Sequence, residues 1–258
     1  MRIVRFSDGE SPRYGALEDG STRIVVLKGD PLFNEVEPDG RIVELDDVRL
    51  LSPVIPRSKV IGIGTNFGDE VRAPGSPEPE TMPPIFLKAN TSVIGPDDPI
   101  VLPSWSDDVI YEGELAVVIK SLAKDVPPDE VDDVVLGYTL CNDVTARSAM
   151  DGGPWDKAKS FDTACPLGPW IVVDPDLNVH NLTIRGTIND EQETSGSTAY
   201  MLHTVPELVA YCSTLFTLLP GDVITTGCPG VFGELHEGDT VSFEIPEIGR
   251  LTNPVVRR

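Results

Sequence analysis

The sequence predicts a mainly β protein with some α, in which a small β-rich N-terminal domain precedes a larger domain. Short stretches of alternating apolar and polar residues recur along the 258-residue chain, separated by turns rich in glycine, proline and acidic residues. This pattern is typical of strands. Residues 204–218 differ, because their apolar side chains repeat at helical spacing after the capping-box sequence Thr204-Val205-Pro206-Glu207. The length allows a sizeable core without disulfides, and the cysteines lack C-x-x-C spacing.

The predicted elements divide the chain into residues 1–53, the small N-terminal domain, and residues 54–258, the larger domain. Two prolines in residues 50–56 favour a connector there. The predicted strands are residues 1–6, 13–17, 23–27, 59–64, 85–88, 100–102, 111–119, 137–143, 166–173, 182–189, 223–226, 240–245 and 251–255, and short helices are predicted at 127–135 and 145–150. Segment 73–84 is rich in proline, glutamate and serine, and we expect a mobile lid there.

The charge of the chain excludes some classes of partner. The formal net charge is −22, and only seven of the 20 basic residues are lysines. Such a surface repels nucleic acid and anionic membranes, and no apolar run approaches the ~18 residues that cross a bilayer. The first residues resemble a strand rather than a targeting segment, so we expect a cytoplasmic protein. Carboxylates spread over the whole chain also indicate a halophilic, high-salt cytoplasm.

The stretch Tyr111-Glu112-Gly113-Glu114, at the start of a β-branched apolar run, carries the main chemical signal. Side chains of a strand alternate between its faces, so Glu112 and Glu114 point the same way. Gly113 between them lets another group approach the backbone closely. Two buried parallel carboxylates are costly unless a cation lies between them. The spacing alone is compatible with two interpretations, a metal site and a strand end with two solvated glutamates.

A third carboxylate and a lysine follow at other strand ends. Asp143 ends a predicted strand, and Lys159 and Asp162 lie in the loop beyond it. Carboxylates that converge from strand ends are the ligand set that a hard divalent cation such as Mg²⁺ prefers. A lysine beside such a site can stabilise an enolate, or accept a proton if burial lowers its pKa.

Ordered motifs cover most of residues 50–258. They are Gly64-Thr65-Asn66-Phe67, Pro84-Ile85-Phe86-Leu87-Lys88, Glu112-Gly113-Glu114, residues 142–147 (Asn-Asp-Val-Thr-Ala-Arg), residues 159–170 and residues 219–229. In this order they resemble the G-x-N-Y, P-x-x-F-x-K, E-x-E, N-D-V-[ST]-A-R, K-x-F-D…P-x-G-P-W and L-x-P-G-D-V-I…G-T-P segments of the fumarylacetoacetate hydrolase family. The similarity is to its acylpyruvate hydrolase, oxaloacetate decarboxylase and 2-hydroxyhepta-2,4-diene-1,7-dioate isomerase-like members. Such an ordered set is hard to produce by chance.

The resemblance implies a fold and a cofactor. The expected fold is a mixed β-roll of the fumarylacetoacetate hydrolase C-terminal type with a small β-rich N-terminal domain, assembled as a homodimer. The expected cofactor is Mg²⁺, with Mn²⁺ or Ca²⁺ as alternatives. By the same mapping, Glu112, Glu114 and Asp143 are the metal ligands.

The resemblance also implies a substrate class. Family members act on small 2-oxo acids and 1,3-dicarbonyl acids, whose carboxylate and neighbouring oxygen chelate the metal. Chelation stabilises the charge that develops when a bond at the next carbon breaks. Lys159 would stabilise the enolate or move its proton. Arg147, Asn66 and Asp162 would contact the substrate.

The chain departs from the family where hydrolytic members carry an H-x-x-E pair. Glu70 replaces the histidine and Ala73 the glutamate, so the pair that activates water is missing. Glu70 can take over only if its pKa is raised. The histidines His180, His203 and His236 lie far along the chain and are predicted to be surface or capping residues. Other replaced polar positions are Phe67, Met150, Cys228 and segment 189–194.

These features predict a Mg²⁺-dependent enzyme that acts on a 2-oxo acid through a metal-chelated enolate, as an isomerase, a hydratase or dehydratase, or a decarboxylase. One alternative is a C–C bond hydrolase that uses Glu70. The other is a structural or regulatory homologue that keeps the metal but has lost activity. A β-rich binding module without metal is disfavoured, because it leaves the same-face carboxylates unexplained.

We expect the protein to lose stability at low ionic strength, because surface carboxylates then repel one another without screening. The melting temperature should rise by about 5 °C or more between dilute buffer and molar KCl. Calorimetry at constant pH measures this rise, and an uncharged osmolyte at the same osmolality is the control. A melting temperature that does not respond to KCl contradicts the halophilic interpretation.

Overall fold

The computed structural model describes residues 1–18, 20–71, 79, 81–151 and 154–257. As the sequence predicts, the fold is mainly β with some α and forms a mixed β-roll. The described residues form two sheets. No described helix is long and apolar enough to cross a bilayer. The predicted lid, segment 73–84, falls largely outside the described residues.

The first five described strands lie in the predicted N-terminal domain. They are β1 (Arg2–Ser7), β2 (Arg13–Leu17), β3 (Arg23–Leu27), β4 (Pro38–Glu44) and β5 (Arg49–Leu51). Strand β4 was not predicted, because most of its side chains are exposed and give no apolar alternation. The connector prediction at residues 50–56 is wrong for Leu50 and Leu51, which pair with β1.

The remaining strands begin at Val60. They are β6 (Val60–Ile63), β7 (Ile85–Lys88), β8 (Val93–Ile94), β9 (Ile100–Leu102), β10 (Val109–Ile119), β11 (Val135–Asn142), β12 (Thr145–Ala146), β13 (Cys165–Val172), β14 (Thr183–Ile188), β15 (Glu191–Ser197), β16 (Val223–Thr225), β17 (Phe232–Glu234), β18 (Thr240–Ile245) and β19 (Gly249–Arg257). Most agree with the predicted strands within one or two residues.

The helices are short. The α-helices are α1 (Asp156–Lys159) and α2 (Val205–Leu215), and 3-10 helices lie at Leu45–Asp47, Asn90–Ser92, Pro128–Asp133, Arg147–Ala149 and Thr198–Tyr200. The helix predicted at 127–135 is therefore a 3-10 helix. The helix predicted at 145–150 is wrong for Thr145 and Ala146, which are extended because they pair with Val109 and Ile110 of β10.

The larger sheet has the strand order β4-β3-β2-β1-β13-β11-β10-β16-β6-β7 and includes β5, β8, β12 and β17 at its sides. The smaller sheet has the order β15-β14-β18-β19-β9. Most pairs are antiparallel, while β6 with β16, β8 with β13, and β9 with β19 are parallel. Strand β1 pairs with β13, so residues 1–53 continue the larger sheet. Their division from residues 54–258 as a separate domain stays a prediction.

One close contact between the two sheets lies at Gly113 in the middle of β10. A Cβ atom at Gly113 would lie 2.3 Å from the ring of Phe243 on β18, so only glycine allows this contact. The Phe243 ring also packs against Tyr111, with ring centroids 5.5 Å apart. The close approach expected at Gly113 is thus made by an aromatic ring of the second sheet. This contact occupies one face of β10 and leaves the other face to Glu112 and Glu114.

Helix α2 begins with the predicted capping box. The Thr204 and Glu207 side chains each bond the other residue's backbone N–H. His180 adds a third cap, because its Nε2 accepts a hydrogen bond from the backbone N–H of Val205 at 3.1 Å. Burial lowers the pKa of His180, which favours the neutral ring that can accept. The helix ends at Leu215, three residues before the predicted end, where Phe216 turns to an extended conformation.

A buried ion pair joins the turn before β16 to the start of β6. The Asp222 carboxylate is 0 % exposed and accepts hydrogen bonds from the ammonium of Lys59, the backbone N–H of Lys59 at 3.1 Å, and the backbone N–H of Leu219 at 2.8 Å. These contacts hold two parallel strands that are far apart in the sequence. Parallel pairs have no hairpin to set their register, so we expect Asp222 to matter for stability.

Replacing Asp222 with alanine should destabilise the protein by about 2–4 kcal/mol, because it leaves Lys59 and two backbone donors without their acceptor. Urea unfolding measured in the presence of salt gives the change. The control is Glu37→Ala, which breaks the exposed Lys28–Glu37 pair (2.7 Å) and should cost less than about 1 kcal/mol. Equal losses in the free energy of unfolding for the two substitutions would show that the buried Asp222 contacts stabilise the protein no more than an exposed ion pair does.

Candidate metal centre

Three carboxylates converge on two neighbouring strands of the larger sheet. Glu112 and Glu114 lie on β10, and Asp143 directly follows β11, which pairs with β10 so that Gly113 faces Asn142. The backbone N–H of Asp143 donates to the carbonyl oxygen of Glu112 at 2.9 Å. One oxygen of each carboxylate lies within 4.8 Å of the others. The same-face arrangement expected from the alternation of β10 is therefore confirmed.

Burial makes the negative charge of this cluster costly. Glu114 is 2 % exposed, and burial, followed by the charges of Asp143 and Glu112, raises its pKa well above the usual value. Burial also raises the pKa of Glu112, and the charge of Asp143 adds to the effect. A nearby cation favours the charged form of carboxylates that are buried within 4.8 Å of one another.

Lys159 supplies one positive charge from the last turn of helix α1. Its ammonium donates to Oε2 of Glu112 and, at 2.7 Å, to Oδ2 of Asp143. Burial by itself lowers the pKa of Lys159, but the charges of Asp143 and Glu112 outweigh burial and raise it. Lys159 is therefore an ammonium group in this environment. The sequence-based alternative of a lysine whose pKa is lowered by burial does not apply here.

Lys88 supplies a second positive charge that the sequence analysis did not assign to the site. Its ammonium, buried on β7, donates to Oδ1 of Asp143 and to the carbonyl oxygen of Lys159. Burial by itself raises the pKa of Asp143, but the charges of Lys88 and Lys159 outweigh burial and lower it. A signal for Lys88 was present, since strand alternation places it on the same face as the buried Phe86.

Glu114 has a different environment. Its Oε2 accepts a hydrogen bond from the backbone N–H of Gly227 at 2.9 Å, but no lysine or arginine of the described chain lies within salt-bridge distance of it. Gly227 has a positive φ of 91°, which favours glycine. A buried carboxylate without a cationic partner is the feature that best fits a bound cation.

Asn66, which is predicted to contact the substrate, braces this backbone. It is buried, and its amide nitrogen donates to the carbonyl oxygens of His203 at 3.1 Å and Thr226 at 3.0 Å. Its amide oxygen accepts from the backbone N–H of His203 at 2.9 Å. These bonds hold the segment that presents Gly227 to Glu114. A direct contact of Asn66 with a substrate stays a prediction.

The structure does not bring the other predicted residues into contact with the cluster. Arg147 is half-exposed and pairs with Asp108 at 2.8 Å and Glu234 at 3.4 Å. Asp162 is exposed in the turn after α1, and Glu70 is exposed after Phe67. Their roles stay predictions. Ala73, the second position of the missing H-x-x-E pair, lies outside the described residues.

The histidines lie away from the carboxylates. His180 caps α2, as predicted, and His236 is exposed. His203 is not a surface residue, because it is 3 % exposed and its Nε2 is 3.1 Å from the carbonyl oxygen of Thr81. It directly precedes Thr204, the N-cap residue of α2, and lies in the interior of the fold. None of the described contacts of these rings reaches Glu112, Glu114 or Asp143.

The donor set of the cluster fits a hard divalent cation. Glu112, Glu114 and Asp143 offer carboxylate oxygens, which Mg²⁺, Mn²⁺ and Ca²⁺ prefer over the thiolate and imidazole groups that select zinc or copper. Thr145 orients one ligand, because its hydroxyl donates to Oε2 of Glu112 at 3.0 Å. Together with the ammonium of Lys159, this arrangement can polarise a carbonyl and stabilise negative charge on an oxygen.

Comparison with known proteins places the chain in a family. The family model "Fumarylacetoacetate (FAA) hydrolase C-terminal" matches residues 59–256, and the model "Rv2993c-like, N-terminal" matches residues 1–53. Oxaloacetate tautomerase fahd2, mitochondrial, of Xenopus laevis is 36% identical over an alignment that covers 99% of this chain and 90% of the relative.

Solved structures show the same fold. The crystal structure of 5-carboxymethyl-2-hydroxymuconate delta-isomerase from Mycobacterium smegmatis matches with a TM-score of 0.91 and 43% identity over 100% of both chains. Maleylpyruvate hydrolase from Sphingobium sp. SYK-6, solved with manganese(II) and pyruvate, matches with a TM-score of 0.81 and 26% identity over 100% of this chain and 99% of that one. The chain therefore belongs to the fumarylacetoacetate hydrolase family, whose members are metal-dependent isomerases, tautomerases and hydrolases.

Proposed function

We propose that this protein is a Mg²⁺-dependent tautomerase or isomerase of small 2-oxo acids or 1,3-dicarbonyl acids, acting through an enolate. The observation that carries the proposal is the placement of the Lys159 ammonium against Glu112 and Asp143, in a buried cluster where no lysine or arginine among the described residues pairs with Glu114. Relatives named as an oxaloacetate tautomerase and a muconate isomerase support this reaction class.

Glu112, Glu114 and Asp143 would hold the cation. When bound, it supplies Lewis-acid polarisation of the carbonyl of a chelating 2-oxo acid. Mg²⁺ is the proposed metal because the donors are carboxylate oxygens. Mn²⁺ is the alternative that the manganese-bound relative favours.

Lys159 is proposed to stabilise the enolate oxygen and to move the proton. Its Nζ is hydrogen-bonded to Glu112 and Asp143, which keep it charged and fix its position. An ammonium group held in a water-poor site stabilises a developing oxyanion better than water does. When Nζ gives a proton to the substrate, Nζ can then take a proton back from the substrate, because the two carboxylates favour the charged form of the lysine.

Hydrolysis is the less favoured reaction. A hydrolase needs a base to activate water, and the described histidines do not contact the carboxylate cluster. Glu70 is exposed in the segment after Phe67 and lies outside the buried carboxylate cluster. Tautomerisation and isomerisation move a proton within one substrate and do not require that base.

The remaining parts of the proposal come from the sequence. Decarboxylation and hydration use the same enolate and stay as related activities. The homodimer, the cytoplasmic location and the halophilic character also stay predictions. Arg147 remains the proposed partner of a substrate carboxylate. Its guanidinium group would then bind that carboxylate in addition to Asp108 and Glu234.

Lys159→Met and Glu114→Gln should each lower the tautomerisation rate by about 100-fold or more, because the first removes the charge that would stabilise the enolate and the second weakens the binding of the cation. The enol–keto conversion of oxaloacetate, followed by the ultraviolet absorbance of the enol, measures the rate with Mg²⁺ and with EDTA. Lys157→Met, which removes an exposed lysine from the same helix, is the control. Full activity in EDTA would overturn the proposed metal dependence, and pyruvate formed faster than keto product would identify a decarboxylase.

Glu70→Gln should change the tautomerisation rate by less than about twofold, because an exposed carboxylate outside the cluster does not contribute to the enolate chemistry. The same variant is also tested for cleavage of an acylpyruvate. Cleavage by the wild-type protein that disappears in Glu70→Gln would support the hydrolase alternative instead. Loss of tautomerisation in Glu70→Gln would show that this loop carries the base.

A further inference from the structure

Lys88 is a buried lysine beside the proposed metal ligands, and the mechanism above gives it no role. Its side chain is 0 % exposed. It lies on β7, which pairs with β6. Burying an ammonium group is costly unless charged and polar partners surround it. The partners here are one carboxylate oxygen of Asp143 and the carbonyl oxygen of Lys159.

The two lysines are held in different ways. Within the described part of the chain, Lys159 makes its ion pairs with Glu112 and Asp143, both of which are proposed to bind the cation. Lys88 takes the other oxygen of Asp143 and is also fixed by a backbone carbonyl at the end of helix α1. Its charge therefore stays in place whichever ligand enters the site, and its contact with the Lys159 carbonyl also fixes that residue.

The formal charge of the cluster depends on Lys88. The three carboxylates and two ammonium groups leave the cluster one negative charge in excess. A divalent cation converts this excess into one positive charge. The cation alone is then bound against two fixed ammonium groups, whereas an anionic ligand is attracted to the loaded cluster. Without Lys88 the loaded cluster would be neutral.

We propose that Lys88 is a positioning residue that couples cation binding to the binding of an anionic, chelating substrate. It weakens binding of the cation to the free cluster and strengthens binding of the anion to the cation-loaded cluster. By linkage, the bound anion raises the affinity of the cluster for the cation by the same factor as the bound cation raises its affinity for the anion. The inference rests on the metal site proposed above, but not on which bond the enzyme breaks.

Calorimetric titration with Mn²⁺, alone and with saturating oxalate, tests the coupling in wild-type protein and in Lys88→Met. Oxalate is a small dianion that chelates through two oxygens, and its own binding of Mn²⁺ is measured separately and subtracted. Lys88→Met should bind Mn²⁺ about tenfold more tightly than wild type in the absence of oxalate. The factor by which oxalate tightens Mn²⁺ binding should fall by about tenfold. Lys157→Met should leave both quantities unchanged.

The direction of the change separates coupling from a purely structural role. If Lys88 only supports the fold, Lys88→Met weakens Mn²⁺ binding, and that result overturns the inference. Unchanged affinity in a variant with the wild-type melting temperature overturns it as well. If Lys88→Met does not fold, wild-type protein decides, because a coupling below about threefold contradicts the inference. Wild-type protein that binds no Mn²⁺ under either condition refutes the metal site itself.

Discussion

The burial of three carboxylates against two lysines is the constraint on which the rest of the structure depends. Each of these charges has lost most of its water, and an unpaired buried ion costs several kcal/mol. The lysines offset the charges of Glu112 and Asp143, while Glu114 accepts a hydrogen bond from a backbone N–H and is not within salt-bridge distance of any lysine or arginine in the described chain. A fold that keeps such a cluster has to hold its parts firmly, because a small displacement would leave a buried charge without its partner.

Strand β10 makes this convergence possible. It carries two of the carboxylates and is hydrogen-bonded to β11, β12, β16 and β17. On one face Gly113 allows the ring of Phe243 to contact the backbone, which seals that side with the second sheet. The opposite face is left to Glu112 and Glu114. The spacing of two residues therefore serves both packing and chemistry, since alternation assigns one face to the core and the other to the site.

The residues around the cluster show how far a motif predicts a role. Asn66 lies in a motif that suggests substrate contact, but its side-chain hydrogen bonds hold the backbone near Gly227. Arg147 lies in another such motif, but at the surface it is paired with two acids. In both cases a polar side chain found partners contributed by segments far away in the sequence. Such partners cannot be read from local spacing.

The sequence by itself determined the class of the fold, most of the strands, the capping of helix α2 and the same-face placement of Glu112 and Glu114, because alternation, capping and spacing are local properties. Only the tertiary structure decided the charge environment. It brought Lys88 of β7 and Lys159 of α1 to opposite oxygens of Asp143, placed no lysine or arginine of the described residues beside Glu114, and placed Glu70 in solvent. These features depend on contacts between segments that the sheet order brings together, and no local pattern encodes that order.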